Sequence, residues 1–204
     1  MSRTLAIRAM TCLRAGDPDG ALDALRACWA AQGGMTQEQI EVSRYPKHSG
    51  DVMLLARIYR AQGRLAEARE LASRTVGMRR GVYGDGAGPR VADSLFTVGR
   101  MLEVDGGELV LAGRVMREVV EMCEGVMGLE GHLARGLWFL AGVEERIGEG
   151  KGVGGEDERV GGRRKVVEEL RERAKTVRRG IENREWPDED SDEGFMRLVS
   201  WMLW

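Results

Sequence analysis

The chain has 204 residues, of which 43% are hydrophobic and 31% charged, and its formal net charge is −2. This near-neutral balance gives no global reason to expect binding to nucleic acid or to a membrane surface. No apolar run approaches the roughly 20 residues that span a bilayer, and the start lacks the apolar stretch of a signal peptide. We therefore expect an intracellular protein, cytoplasmic or nuclear, without nucleic-acid or membrane partners.

The first 30 or so residues predict a helical hairpin. Apolar residues recur at helical spacing over residues 3–14, and Gly16 ends that pattern. A second helix is predicted directly afterwards, with Asp17 as its N-cap and Pro18 in its first turn. The connector over residues 35–48 has room for one helical turn around Gln37.

Residues 51–84 predict two further helices folded back on each other around Gly63. The small side chains of Ala56 and Ala68 would let these helices approach closely. The second helix then recurs 44 residues downstream, with eight identities in one register. Gly63, Leu65, Ala68, Val76, Met78, Gly81, Val82 and Gly84 match Gly107, Leu109, Ala112, Val120, Met122, Gly125, Val126 and Gly128. A period of this size is typical of helical hairpins stacked as a solenoid.

The turn glycine followed five residues later by alanine resembles the tetratricopeptide repeat (TPR). The loop over residues 83–89, which begins Tyr-Gly and precedes another helix, resembles the longer repeats of kinesin light chains. The resemblance implies an all-α fold of antiparallel helical hairpins in a TPR-like right-handed solenoid. We count about four units, followed by a C-terminal tail.

The pattern changes after Ile147. Seven glycines fall within residues 148–162, which we interpret as a flexible loop inside a repeat domain covering 1–184. A basic helix from residue 163 onward would close the last unit, with its exposed face partly neutralised by the acidic linker 185–193. Residues 194–204 are rich in large apolar residues, and we predict that they dock on the helical array, or on a partner, as a short amphipathic anchor. The anchor residues are Phe195, Leu198, Trp201 and Trp204.

The sequence shows no catalytic, cofactor or metal-binding constellation. Cys12, Cys28 and Cys123 are odd in number and widely spaced, which disfavours both a disulfide framework and a zinc site. His48 and His132 stand without a second ligand or nucleophile nearby in sequence. A G-x-G-x-x-G pattern occurs in the glycine-rich segment, but it follows a helix instead of a strand, so we expect no dinucleotide site.

The first helix of each TPR unit lines the concave surface in related arrays. By resemblance, the corresponding positions on the first helix of each unit imply a peptide-binding groove in this chain. The groove residues would be Arg57, Arg60, Phe96, Arg100, Arg135 and Trp138. Arginines with aromatics suit an acidic or C-terminal peptide, bound through charge-assisted hydrogen bonds. Alternatively, the same side chains are solvated or covered by the chain's own tail.

Four segments resemble the C-terminal region of fungal SET-domain proteins of the SET-and-MYND type. They are GGMTQEQIEVSRYPKHSGDVMLLARIYRAQGRL, YGDGAGPRVADSLFTVGRML, MGLEGHLARGLWFLAGVEERIG and GFMRLVSWMLW. In that family a SET domain binds S-adenosylmethionine and methylates lysine, and a helical-repeat region follows it. The SET signature elements are absent here, so the resemblance implies the accessory part without the catalytic part.

Three hypotheses follow. The first is a non-catalytic protein-interaction scaffold that binds a protein or peptide partner, such as an acidic segment or a SET catalytic domain. The second is a portion of a protein-lysine methyltransferase whose catalytic domain lies outside this chain. The third is a structural unit whose groove is closed by its own C-terminus.

Overall fold

The computed structural model describes residues 2–84, 88–105, 107–149, 157–181 and 190–199, and leaves aside the side chains of residues 2–3 and 157–161. These ranges contain ten helices and no strand. The helices are α1 (Ser2–Arg14), α2 (Pro18–Ala30), α3 (Gln37–Glu41), α4 (Pro46–Ala61), α5 (Leu65–Tyr83), α6 (Pro89–Val104), α7 (Leu109–Cys123), α8 (Glu130–Glu149), α9 (Asp157–Gly180) and α10 (Asp192–Arg197). The predicted all-α class is confirmed.

The helices fall into two compact units, Met1–Asp85 and Gly86–Trp204. In unit 1, α1 packs on α2 and α4 on α5. In unit 2, α6 packs on α7 and α8 packs on both α7 and α9. The long helices therefore form the hairpins that the sequence pattern predicts.

The two hairpins of unit 1 use the same turn. Gly16 and Gly63 have φ values of 76° and 77°, which glycine adopts without steric cost. The residue after each glycine, Asp17 or Arg64, donates its backbone N–H to a carbonyl five residues earlier, as in a Schellman motif. Asp17 also accepts a hydrogen bond from Gly20 N–H at 2.8 Å, which confirms it as the N-cap of α2.

The 44-residue repeat is reproduced in burial but not in every turn. Ala68 and its counterpart Ala112 are 1% and 0% exposed, as expected for small residues between packed helices. Gly81 lies within α5, whereas its counterpart Gly125 has a φ of 70° beyond the end of α7. The second copy of the helix is therefore shorter at its C-terminal end.

The glycine-rich segment differs from its prediction as a loop over residues 148–162. Helix α8 continues to Glu149 and α9 begins at Asp157, while residues 150–156 lie outside the described ranges. One physical reason is visible at Gly148, where a Cβ atom would lie 3.4 Å from Cδ of Arg163. Gly148 lets α8 approach α9 closely at this point, and that packing offsets the low helix propensity of this glycine.

Within the described ranges, none of the helices combines the length and the apolar character that crossing a membrane would require.

Candidate protein-interaction site

Helices α6 and α8 lie side by side in unit 2 and run in the same direction. Their contacts repeat at a nearly constant sequence separation, since Asp93 pairs with Arg135 and Glu103 with Arg146. Phe96 also meets Phe139, with ring centroids 5.2 Å apart in an edge-to-face arrangement. Four residues of the predicted groove, Phe96, Arg100, Arg135 and Trp138, belong to these two helices.

Phe96 and Arg135 lie beneath the surface. They are 2% and 4% exposed, and the Arg135 guanidinium carbon sits 3.9 Å from the centre of the Phe96 ring. Arg135 Nη2 donates to Asp93 Oδ1 at 3.1 Å, with both side chains buried. Burial lowers the pKa of Arg135, while Asp93 opposes that effect. The register transferred by resemblance placed these two side chains on the groove surface, but their mutual contacts hold them in the interior.

Arg100 is partly exposed and lies at the edge of the same cluster. Its guanidinium stacks 4.3 Å from the centre of the Phe139 ring, and it forms an ion pair with Glu103. Glu103 also accepts from Arg146 Nη1 at 3.1 Å, which links α6 to α8. Arg100 is therefore held in one orientation while 26% of its side chain stays exposed.

Trp138 is partly exposed, and its side chain contacts α10. Its indole ring stacks on Phe195 with centroids 4.3 Å apart and an interplanar angle of 10°. The indole Nε1–H donates to Asp192 Oδ1 at 2.9 Å. Both the apolar and the polar part of Trp138 are thus engaged by the C-terminal segment.

The C-terminal segment makes further contacts with α8 and α9. Phe195 is 0% exposed and Leu198 is 7% exposed. A Cβ atom added at Gly131 of α8 would lie 2.7 Å from the backbone oxygen of Leu198, so the chain passes directly over this glycine. The other two predicted anchor residues, Trp201 and Trp204, lie outside the described residues.

Arg57 and Arg60 belong to α4 of unit 1 and are partly exposed. They lie on one face of α4 because residues three apart are neighbours on a helix.

His132 is buried beside the Arg135 pair. It is 5% exposed, and its Nε2 atom has no hydrogen-bond partner. Burial lowers the pKa of His132 to about 4, and the nearby charge of Arg135 acts in the same direction, while Asp93 opposes them. The imidazole is therefore neutral in the folded protein at neutral pH.

We expect His132 to make stability depend on pH. Below about pH 6.5 the unfolded chain protonates this histidine, whereas the folded chain does so only near pH 4. The free energy of unfolding should therefore fall by about 2 kcal/mol between about pH 7 and pH 5 through this group. Urea titrations at both pH values should show that loss reduced in His132→Leu. An equal loss in the variant would contradict the assignment.

We expect the three cysteines to differ in reactivity. Cys28 and Cys123 are 0% and 1% exposed, whereas Cys12 is partly exposed. Burial raises the pKa of Cys123 to about 11, which keeps it as an unreactive thiol. A chromogenic disulfide reagent should react with one thiol in the native protein and with all three after denaturation. Fast reaction of three thiols under native conditions would contradict the fold.

In the part of the chain that the structure describes, no three His, Cys, Asp or Glu side chains are grouped to hold a metal ion.

Sequence reasoning missed Asp93, Phe139 and Asp192, which complete the contacts of the predicted residues. A signal for Asp93 was present in the sequence. Four residues of α6 correspond, at an offset of 42 residues, to four residues of α8: Ala92, Leu95, Val98 and Gly99 match Ala134, Leu137, Leu140 and Ala141. The same offset relates Asp93 to Arg135. Opposite charges at equivalent positions of successive repeats indicate a pair between parallel neighbouring helices. Asp192 had no comparable signal, since α10 lies outside the repeat.

Solved structures provide the comparison. BtubC (BKLC) from P. vanneervenii matches with a TM-score of 0.66 and 16% identity, over 93% of this chain and 68% of that one. A Podosopora anserina putative kinesin light chain with nearly identical TPR-like repeats matches with a TM-score of 0.51 and 19% identity, over 89% and 97%. The fold is a TPR-like helical repeat. No protein-family model and no curated protein matches the chain. At these identities the likeness shows the TPR-like fold alone.

Proposed function

We propose that this TPR-like chain is a non-catalytic protein-interaction scaffold. The observation that carries the proposal is the docking of α10 on α8, because a repeat surface here holds a separate helical segment. Trp138 stacks on Phe195 and donates to Asp192 in that contact. The TPR-like solved structures support the same interpretation at the level of fold. An intracellular location belongs to the proposal.

The partner we propose is a protein segment that carries acidic side chains. Of the predicted groove residues, Arg57 and Arg60 in unit 1 and Arg100 and Trp138 in unit 2 are partly exposed, and the three arginines are the ones that can pair with a carboxylate. A guanidinium group binds a carboxylate through two parallel hydrogen bonds, which adds geometric specificity to the attraction. Arg100, held on Phe139, would need little reordering to bind.

Affinity capture from the source cells tests this proposal. Wild-type chain is compared with the double variant Arg57→Glu and Arg60→Glu, and bound proteins are quantified by mass spectrometry. Because hydrogen bonds to charged groups contribute about 1.5–3 kcal/mol each, we expect the specific partner to be depleted at least about tenfold.

The matched control reverses Arg8 and Arg26, which are exposed on α1 and α2 of the same unit. This pair changes net charge by the same amount, so a general electrostatic effect would appear in both variants. A partner recovered equally with wild type and with both variants would contradict a role for α4.

The finer proposal is that the scaffold is the accessory region of a SET-type protein, with a SET catalytic domain as covalent neighbour or partner. Sequence resemblance alone supports it. The runner-up is that the chain is part of a SET-domain lysine methyltransferase. An in-frame SET coding sequence upstream of Met1 would favour the runner-up.

Methyl-transfer activity tests the non-catalytic claim directly. The purified chain is incubated with labelled S-adenosylmethionine and mixed protein substrates, with an active lysine methyltransferase as positive control. We expect no transfer above background. Transfer that co-purifies with the chain would overturn the claim.

A further inference from the structure

Helix α10 depends on its surroundings to be helical. It has six residues, from Asp192 to Arg197, with Ser191 accepting a hydrogen bond from Gly194 N–H at 3.1 Å as its N-cap. Helices much shorter than about 12 residues are marginal in water. The contacts with α8 and α9 therefore hold this segment in its helical form.

The contact is specific because the two partners of Trp138 lie on one face of α10. Asp192 and Phe195 are three residues apart, so they are neighbours on a helix surface. Asp192 accepts a hydrogen bond from the indole N–H at 2.9 Å, and Phe195 stacks on the indole ring. The α8 surface thus recognises an acidic residue followed three positions later by an aromatic residue.

Basic side chains of α9 surround this contact. Lys175 Nζ and Arg178 Nη1 lie 3.3 and 3.8 Å from the carboxylate of Asp190. The Arg178 guanidinium also lies 5.2 Å from the centre of the Phe195 ring, and that of Arg171 lies 5.8 Å from the Trp138 ring. The surface is therefore positively charged around an aromatic centre, whereas its ligand is acidic.

Helix α10 lies against both helices of the last hairpin. It packs on α8 and contacts α9 through Arg178. The surface that α10 covers is thus one that already holds a helix.

We propose that the α8–α9 surface is a helix-binding site in which α10 is an exchangeable resident ligand. In trans it accepts an amphipathic helical segment of another protein, with an acidic residue three positions before an aromatic residue and an aliphatic residue three positions after it. This inference rests on the proposed scaffold function, but its site is distinct from Arg57 and Arg60.

The resident helix competes through its covalent attachment. A tethered segment has an effective concentration of about a millimolar, so it masks the site from weak free ligands. Weakening α10 by Phe195→Ala should expose Trp138 to a ligand in trans. The variant keeps every residue of the α8–α9 surface.

Fluorescence anisotropy with a labelled peptide of residues 188–199 tests the inference. We expect the full chain carrying Phe195→Ala to bind this peptide at least about tenfold more tightly than the wild-type chain does. A peptide with alanine at the position of Phe195 is the matched ligand control and should lose binding. Thermal melts by circular dichroism establish that each chain variant is folded.

Two further substitutions in the Phe195→Ala chain place the binding on the proposed surface. Trp138→Ala removes the stacking ring. Gly131→Ala leaves Trp138 intact but puts a methyl group where the Leu198 carbonyl must pass. We expect each to weaken peptide binding by about tenfold or more, because an aromatic stack and a close backbone approach are lost.

A designed helical peptide tests the partner class. It keeps only the acidic, aromatic and leucine residues of positions 192, 195 and 198 on an unrelated background, and it should bind the Phe195→Ala chain. The inference is overturned if the folded Phe195→Ala chain binds neither peptide, or if Gly131→Ala and Trp138→Ala leave binding unchanged. If affinity capture still shows a partner that depends on Arg57 and Arg60, the proposed scaffold function would hold without this second binding site.

Discussion

Replacing Arg135 by alanine should lower the free energy of unfolding of unit 2 by about 3–5 kcal/mol. The guanidinium is 4% exposed and pairs at 3.1 Å with Asp93, which is itself 3% exposed. Removing the cation leaves a buried carboxylate without its neutralising partner, and a cavity opens beside Phe96. The loss should exceed that of a surface ion pair several-fold.

Urea unfolding followed by circular dichroism measures this loss. The matched control is Arg146→Ala, because Arg146 also bridges α8 to α6 but is itself 45% exposed. Its buried partner Glu103 keeps its ion pair with Arg100 in this variant, so we expect a loss of only about 1 kcal/mol. The double variant Asp93→Ala with Arg135→Ala should be less destabilised than the sum of the single variants. Additive losses would show that the two side chains do not interact as the structure has them.

Leu137→Ala should destabilise unit 2 by about 2–5 kcal/mol. Leu137 of α8 is 0% exposed, so its loss removes buried apolar surface and leaves a cavity among packed helices. Leu111 of α7 is 42% exposed and makes a matched leucine control, for which we expect a change within about 0.5 kcal/mol.

The same denaturation measurement distinguishes the two leucines. If both variants lost similar stability, the assignment of one face of α8 to the core would be contradicted. Thermal melts would show the same ranking, since both substitutions lie in one unit.

The sequence predicted the hairpins well because their signals are local. Gly63 marks a turn that needs a positive φ, and Asp17 followed by Pro18 marks a helix start. The 44-residue recurrence then extended one hairpin to the array. The limit of local signals appears after Ile147, where α8 continues through Gly148 and α9 includes Gly162 although glycine has a low helix propensity. The packing of α8 on α9 is a contact that no local pattern reports.

The candidate site was harder to predict because helical periodicity does not identify which neighbour covers a face. The TPR register places Phe96 and Arg135 on the groove-facing side of their helices. In the structure they stack on each other between α6 and α8. The same register places Trp138 on the groove surface, but it stacks on Phe195 of α10, a helix that does not belong to the repeat. Pairing residues at the 42-residue offset would have found Asp93 opposite Arg135.

Photo-crosslinking in the source cells tests the central claim most directly. A benzophenone amino acid is placed at position 57 on α4 or, as the control, at the exposed position 8 on α1. A protein-interaction scaffold predicts a discrete adduct with a partner protein at position 57 that is absent at position 8. No adduct at position 57, or identical adducts at both positions, would contradict the account.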